Sequence, residues 1–297
     1  MDSSSLTQRI AELGDRVNGH PEHVAEVVPQ LVALLGEHDD PRVLVGIIDA
    51  LGCAWDESAN LAMLRFMDHP DPQVRFAATC ALPGGTDTAS GTEQVAAALI
   101  RLTTDEDDAV RDWATFGLGS ILQIDNDEVR AALFARLSDA SDDVRDEAVA
   151  GIARRRDPRA VAIVADFLAE DVVGPLVFEA AEFLGDPRIY DALLRWHRAD
   201  PDRALVQWAT QSCDPDYQRA RTERHAALLT AVERIIAERG SRSTAYMYCD
   251  RGDVEVLLAV TAKPSWAWDA DRLIERASGD VDAAESRVVS DLEAESD

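Results

Sequence analysis

The chain has 297 residues, 46% of them hydrophobic, so it is long enough to bury a sizeable core in one or two domains. Its 56 Asp and Glu residues against 29 Lys and Arg residues give a formal net charge of -27. Because so acidic a surface repels phosphate groups, the composition argues against nucleic-acid and membrane partners and favours a basic partner.

The cysteines and the N-terminus bear on the cellular compartment. The four cysteines, at positions 53, 80, 213 and 249, lack CxxC spacing, and the N-terminus MDSSSLTQRIAELG lacks the basic and then apolar pattern of a signal peptide. No apolar run approaches the ~20 residues that a membrane-spanning helix requires. We therefore expect a cytoplasmic protein with reduced thiols.

The first predicted element is a helix within residues 1–19. Its apolar residues fall on one stripe, formed by Leu6, Ile10, Leu13 and Val17. Ser5 and Gln8 have the spacing of a capping box at its start. We expect this helix to cover the apolar face of the first element that follows.

A short phrase then recurs along the chain, as DPQVRFAATCAL at 71–82, DDAVRDWATFGL at 107–118 and SDDVRDEAVAGI at 141–152. In the first copy Asp71 can cap a helix and Pro72 suits its first position. Each copy has apolar or small residues on one helical stripe. The same stripe recurs in three further segments, which gives six copies in all. Their first stripe residues are Val43, Val74, Val110, Val144, Leu176 and Leu205.

A second set of amphipathic helices is predicted between these copies, so the repeating unit is a helical hairpin of about 30 to 36 residues. Such a unit is too small to bury its apolar faces alone and is stable only when stacked. The sequence therefore predicts an all-α fold, an α-solenoid of about six hairpins over residues 20–215 with extra helices at both ends.

The recurring phrase resembles HEAT repeats, particularly the short bacterial type called phycobilisome-lyase HEAT-like. The resemblance implies that the Asp and Arg of the phrase form hydrogen bonds between neighbouring repeats. The residues that it assigns to this structural ladder are Asp71, Arg75, Asp107, Arg111 and Arg145. Leu44, Val177 and Val206 stand where the arginine is expected in the other copies, which indicates atypical end repeats.

After the repeats we predict a helical extension over 216–280 and an acidic tail over 281–297, which begins as a helix. Within the extension, 244–262 suits either a hairpin around the DRGD sequence or a helix, and we favour the helix. The RGD tripeptide at 251–253 is interpreted as a chance occurrence. The glycine-rich stretch at 83–92 lacks the end of a phosphate-binding loop and is interpreted as a flexible connector.

No catalytic set of residues stands out. His20, His23 and Glu26 lack further ligands, so we expect no metal, and no cofactor is indicated. HEAT-like deoxyhypusine hydroxylases carry repeated His-Glu pairs, which are absent from this sequence. HEAT-like DNA glycosylases use Trp and Asp on a concave face, but the net charge opposes a DNA ligand, and we expect the tryptophans to fill gaps between repeats: Trp113, Trp196 and Trp208.

The resemblance implies that the second helix of each hairpin lines the concave side, where its positions outside the core contact a partner. Acidic residues alternate there with phenylalanines, which predicts binding of a protein or peptide with basic and apolar groups. The candidates are Asp49, Phe76, Asp112, Phe116, Asp146, Phe178, Glu182 and Gln211. A non-catalytic scaffold or adaptor is thus the favoured function, and a lyase-like or DNA-repair enzyme or enzyme accessory is the alternative.

Overall fold

A computed structural model describes residues 3–86, 88–238, 244–249, 256–261 and 266–294. The chain divides into two compact units, residues 1–152 and 153–297. The helices that begin in the first unit are α1 (Ser3–Val17), α2 (Val24–Glu37), α3 (Pro41–Gly52), α4 (Glu57–Met63), α5 (Pro72–Ala81), α6 (Ala89–Leu102), α7 (Asp108–Phe116), α8 (Asp127–Arg136) and α9 (Asp142–Arg154).

The helices of the first unit form two layers. In one layer α2 packs against α4, α4 against α6, and α6 against α8; we call it the first layer. In the second layer α1 packs against α3, α3 against α5, and α5 against α7. The predicted α-solenoid of helical hairpins is confirmed, and α1 packs on the first hairpin through its buried stripe of Leu6, Ile10, Leu13 and Val17.

The second unit contains two more helical pairs and then an extension. Its elements are α10 (Ala160–Leu168), α11 (Pro175–Leu184), α12 (Tyr190–Ala199), α13 (Ala204–Cys213), α14 (Pro215–Glu238), β1 (Ala245–Cys249), β2 (Val256–Val260), β3 (Trp266–Asp269), α15 (Ala270–Arg276) and α16 (Val281–Ala294). As in the first unit, the second helices of the pairs, α11 and α13, pack against each other.

Aspartates cap the second-layer helices as the sequence predicts. The Asp40 carboxylate accepts a hydrogen bond from the amide of Arg42 at 2.9 Å, and Asp71 accepts one from the amide of Gln73 at 2.8 Å. These bonds satisfy amides that have no partner within the helix. The predicted capping box of α1 is wrong, because the helix already includes Ser3 and therefore contains Ser5.

The ladder between repeats exists, but its acids are not the predicted ones. Arg75 forms two hydrogen bonds with the Asp105 carboxylate, both at 2.8 Å, and Arg111 forms two with Asp139, at 3.1 and 3.0 Å. Asp71 and Asp107, assigned to the ladder from the sequence, cap their own helices instead. Each acceptor lies two residues before the cap of the next repeat, in the turn that joins its helices.

The ladder is almost buried. The side chains of Arg75 and Asp105 are each 8% exposed, and the second pair is similarly shielded. Although burial opposes it, hydrogen bonds from the arginine and from a backbone amide hold the pKa of Asp105 below its usual value, and the same causes lower the pKa of Asp139. Arg145 continues the series by donating to the carbonyl oxygen of Asp139 at 2.9 Å.

Neighbouring second-layer helices touch where both carry small residues. Helix α7 continues into one π-helical turn at Gly117–Ile121, and this turn lies against α9. A Cβ atom added to Gly151 would lie 2.7 Å from the Cα of Gly119, which is closer than van der Waals contact permits. The glycines are therefore required here by the close approach of two backbones.

The stretch at 83–92 is held by the preceding repeat, so the interpretation as a flexible connector is wrong for its described residues. The Asn60 amide donates to the carbonyl oxygens of Gly84 and Gly85, the second at 3.3 Å. The carboxylate of Glu57 accepts hydrogen bonds from the amide and the hydroxyl of Thr88, both at 2.7 Å. Thr88 is thereby fixed as the N-cap of α6.

The extension is partly β-sheet, so the favoured helix over 244–262 is wrong and the strands of the alternative hairpin are present. Strands β1 and β2 pair antiparallel, and β2 pairs antiparallel with β3. Successive side chains of a strand point to opposite sides of a sheet. Ala245 and Leu258 face a core formed with α14–α16, while Tyr246 and Tyr248 are exposed, and this alternation explains why the segment forms strands and not a helix. The DRGD sequence lies outside the described residues.

The predicted acidic tail is a packed helix over most of its length. Helix α16 packs against α14 and α15 and buries Ala284 and Val288 in the core that the sheet also covers. Arg234 of α14 pairs with Glu285 of α16 at 3.1 Å. The extension and most of the predicted tail therefore form one small α+β structure in the second unit.

The ladder predicts a large stability difference between two ion pairs. We expect Asp139→Ala to lower the free energy of unfolding by about 3–5 kcal/mol, because it leaves the Arg111 guanidinium buried without its carboxylate. Asp68→Ala is the control, since its ion pair with Arg101 is exposed and its loss costs under about 1 kcal/mol. Urea unfolding followed by circular dichroism measures both, and equal costs would contradict the ladder.

The close contact between Gly119 and Gly151 predicts that a methyl group added at Gly151 destabilises the protein, in contrast to one added at a helical glycine with open space around it. We expect Gly151→Ala to destabilise the protein by about 1–3 kcal/mol, because the new methyl group meets backbone atoms of Gly119. Gly36→Ala is the matched helical control, with open space around its Cβ, and should stabilise the protein by up to about 1 kcal/mol. Thermal unfolding of both variants measures the difference, and a neutral Gly151→Ala would refute the tight contact.

Candidate functional site

The predicted partner-binding residues lie on second helices of the pairs, and their exposure differs. In the first unit Asp49 is exposed, whereas Phe76, Asp112, Phe116 and Asp146 are half-buried. In the second unit Glu182 is half-buried and Gln211 is exposed. Seven of the eight candidates are therefore accessible to some degree.

Phe178 is the exception, and its prediction as a partner contact is wrong. It is completely buried, with its ring 5.6 Å from the ring of Trp196 and the Arg203 guanidinium 4.9 Å above it. The N-cap of α11 is Gly174, so Phe178 stands four residues after the cap, the place that Arg75 takes after Asp71. This position points between repeats, where an aromatic ring replaces the ladder arginine.

The candidates of α5 and α7 form an aromatic cluster. The ring of Trp113 lies 6.1 Å from that of Phe76 and 5.4 Å from that of Phe116, with interplanar angles of 89° and 85°. Edge-to-face contacts of this kind are favourable and fix the rings. Trp113 is nevertheless 39% exposed. We call Phe76, Asp112, Trp113 and Phe116 the aromatic-acidic patch.

Asp112 is poorly compensated within this patch. Its Oδ1 atom is buried and accepts no hydrogen bond from the described residues. Burial raises the pKa of the Asp112 carboxyl, and the negative charges of Asp143 and Asp108 raise it further. The patch thus joins a fixed apolar surface to a carboxylate that favours the approach of a positive charge.

The sequence led us to expect all three tryptophans in gaps between repeats, which is correct for Trp196 alone. Its indole donates to the carbonyl oxygen of Leu168 at 3.0 Å and covers Phe178. Trp113 is 39% and Trp208 is 51% exposed. The sequence did not identify Trp113 as a patch residue. It lies one position before the core residue Ala114, and spacing alone does not show that its side chain points outward.

A shallow groove lies beside another candidate, Asp49. Helices α1 and α3 enclose about 280 Å³, with Ile10 and Val43 at the base and Asp15, Arg42 and Asp49 at the rim. Although Asp49 is exposed as a whole residue, partial burial of its carboxyl raises the pKa of that group. The groove carries both signs of charge, and no aromatic side chain is among the described residues that line it, which distinguishes it from the patch.

Histidine and cysteine side chains are the usual candidates for metal binding and nucleophilic catalysis. Nδ1 of His20 lies 3.2 Å from Glu22, and no group of three or more His, Cys, Asp or Glu residues in the described part of the chain is placed to hold a metal ion. Burial raises the pKa of the Cys80 and Cys213 thiols to about 12, so neither is a ready nucleophile. No helix among the described residues combines the length and apolarity needed to cross a membrane.

A family model described as HEAT repeats matches residues 28–119 and, in a second match, 95–185. Together the matches cover more than half of the chain. No curated protein sequence matches at a significant level.

Solved structures that resemble the chain have low sequence identity to it. An engineered protein is 18% identical to this chain with a TM-score of 0.47, and the match covers 81% of this chain and 69% of the engineered protein. The protein YibA of E. coli is 18% identical with a TM-score of 0.43, covering 72% of this chain and 92% of its own. Human deoxyhypusine hydroxylase is 22% identical with a TM-score of 0.33, covering 72% and 79%.

The environment of Asp112 predicts a stabilising substitution. Folding raises the pKa of this carboxyl, so its charged form opposes folding above that pKa, and the cost disappears as the pH falls through it. We therefore expect Asp112→Asn to raise the melting temperature at neutral pH. The gain should vanish in acid, where the wild-type carboxyl is already neutral. A lower melting temperature at neutral pH would show that the carboxylate has a stabilising partner.

Proposed function

Because the chain belongs to the HEAT-repeat family, we propose that it is a non-catalytic scaffold or adaptor that binds a protein or peptide through its concave, acidic-aromatic face. The observation that carries the proposal is the aromatic-acidic patch. It combines an exposed tryptophan, two phenylalanines that support it and a carboxylate whose buried oxygen accepts no hydrogen bond from the described residues. Aromatic anchors beside charged groups are typical of energetic centres in protein interfaces.

The chemistry of the patch suits a partner that is both basic and apolar. Trp113 and Phe116 offer apolar surface, and Asp112 with its acidic neighbours attracts a cation. The net charge of -27 adds a long-range field that accelerates association with basic segments and disfavours nucleic acid and anionic membrane. We propose a partner segment that alternates Arg or Lys with large apolar residues, encountered in the cytoplasm.

The ladder supports a non-catalytic role for the arginines of this face. Arg75 and Arg111 use their guanidinium groups on carboxylates and carbonyl oxygens of neighbouring turns. Their pKa values are raised by the hydrogen bonds to Asp105 and Asp139, so they stay charged and bound. These groups hold the repeats in place while the patch beside them provides the contact.

The proposal predicts which substitutions abolish partner binding. We expect Trp113→Ala combined with Phe116→Ala to weaken binding of a labelled peptide of alternating Arg and Leu at least about tenfold, because the apolar anchor is removed. Fluorescence anisotropy at low and high salt measures the affinity. Weakening by salt is expected from the charge of the patch.

Two controls accompany this experiment. Leu61→Ala removes an exposed apolar side chain, 42% accessible, from the first-layer helix α4 and should leave the affinity unchanged. A peptide with Glu in place of Arg should not bind. The proposal fails if the double substitution binds the Arg-Leu peptide as the wild type does, or if Leu61→Ala weakens binding equally.

A further inference from the structure

A cavity of about 410 Å³ lies in the second unit, away from the patch. The ends of α11 and α13 form one side of it, and the start of α14 together with α15 forms the other. Its volume is within the range of small-ligand sites. Two predicted candidates, Glu182 and Gln211, line it together with Trp208.

One wall of the cavity is fixed by a partly buried cluster of hydrogen-bonded side chains. Asp271 of α15 accepts hydrogen bonds from Arg221 of α14 at 3.0 Å and from the ring of His225 at 2.8 Å. Although burial opposes it, these bonds hold the pKa of Asp271 well below its usual range. The cluster joins α14 to α15 and gives the cavity a rigid side.

The arginines that line the cavity are each engaged by another group. Arg221 is bound to Asp271, and Arg272 forms an ion pair with Asp269 at 3.2 Å. Arg156 lies over the ring of Phe183, 5.7 Å from its centre. None of these contacts involves the carboxylate of Glu182.

Glu182 is a half-buried carboxylate that has no hydrogen-bond donor among the described residues. Burial raises the pKa of this carboxyl, and the charge of Glu179 raises it further. A cation supplied from outside would relieve both effects. The unmatched carboxylate is the first sign of a ligand with positive charge.

The accessible ring of Trp208 is the second observation that points to a ligand with positive charge. Elsewhere in this unit, guanidinium groups stack on aromatic rings, with Arg203 4.9 Å from the centre of Phe178 and Arg195 4.8 Å from that of Trp196. Among the described residues no guanidinium lies over Trp208, and half of its surface is accessible. Trp208 therefore combines a place in the cavity lining with accessible aromatic surface.

We propose that this cavity binds a guanidinium group, which stacks on the indole of Trp208 and forms paired hydrogen bonds with the carboxylate of Glu182. A planar guanidinium suits this combination better than an ammonium group, because it stacks on aromatic faces and matches a carboxylate with two parallel donors. The side-chain carbonyl of Gln211 provides a further acceptor. The site is independent of the aromatic-acidic patch.

Calorimetric titration of the full chain tests the proposal with N-acetyl-arginine amide and with its citrulline analogue, which has the same shape without the charge. We expect the arginine compound to bind at least about tenfold more tightly than citrulline. Trp208→Ala and the isosteric Glu182→Gln should each weaken its binding about tenfold or more. Equal binding of the two compounds, an undetectable interaction with the wild type, or full affinity in both variants would overturn the assignment.

Free arginine, titrated in parallel, identifies the source of the guanidinium. Binding of the capped compound at least as tight as that of free arginine assigns the site to an arginine residue of a peptide, whereas a marked preference for free arginine assigns it to the amino acid. Either result supports a guanidinium site.

Matched variants separate this site from the patch and from damage to the fold. Glu170→Gln removes an exposed carboxylate of the same unit that does not line the cavity, and it should bind the arginine compound as the wild type does. Trp113→Ala should also bind it normally. Because the Arg-Leu peptide carries guanidinium groups too, its binding at the patch is measured in the Glu182→Gln background, where Trp113→Ala should weaken it. Loss of arginine binding in either control would contradict the proposed site, and circular dichroism confirms that each variant is folded.

Discussion

The bidentate ion pairs between repeats, Arg75 with Asp105 and Arg111 with Asp139, are the interaction on which the first unit depends. Each arginine leaves a second-layer helix and reaches the turn before the next one. A planar guanidinium with two fixed acceptors permits little rotation between the helices it joins. The position of Trp113 between Phe76 and Phe116 is therefore a consequence of the ladder, since α5 and α7 must keep one register for their rings to meet.

The buried or half-buried carboxyl groups whose pKa is shifted include two opposite classes. In spite of burial, hydrogen bonds from arginines and backbone amides lower the pKa of Asp105 and Asp139, and hydrogen bonds from His225 and Arg221 lower that of Asp271. Burial and like charges raise the pKa of Asp112 and Glu182 instead. The first class stabilises the fold through ion pairs. The second class, to which Asp49 also belongs, opposes it slightly; Asp112 is next to Trp113 in the chain, and Glu182 lines the same cavity as Trp208.

Much of the fold follows from short-range features of the sequence, and the remainder depends on contacts between distant residues. Caps such as Asp71, the buried stripes and the helical pairs are set within a few residues, so the sequence predicts them. The ladder acids lie about 30 residues from their arginines, so sequence spacing within a repeat does not identify them. In α11 the N-cap is a glycine, Gly174, and not an Asp, so the sequence did not show that Phe178 stands at the buried position of the ladder arginine. The patch was predicted in part, whereas the pairing of β1 with β2 needed the core formed by α14–α16.

An exposed indole beside an uncompensated carboxylate is costly for an isolated protein, because neither group contributes fully to folding. The patch and the cavity both have this combination, with Trp113 and Asp112 in the first unit and Trp208 and Glu182 in the second. Elsewhere in the chain, arginines satisfy similar carboxylates and cover similar rings. Groups that oppose folding in this way are expected where they serve function, and under both proposals a basic ligand supplies the positive charge that Asp112 and Glu182 lack.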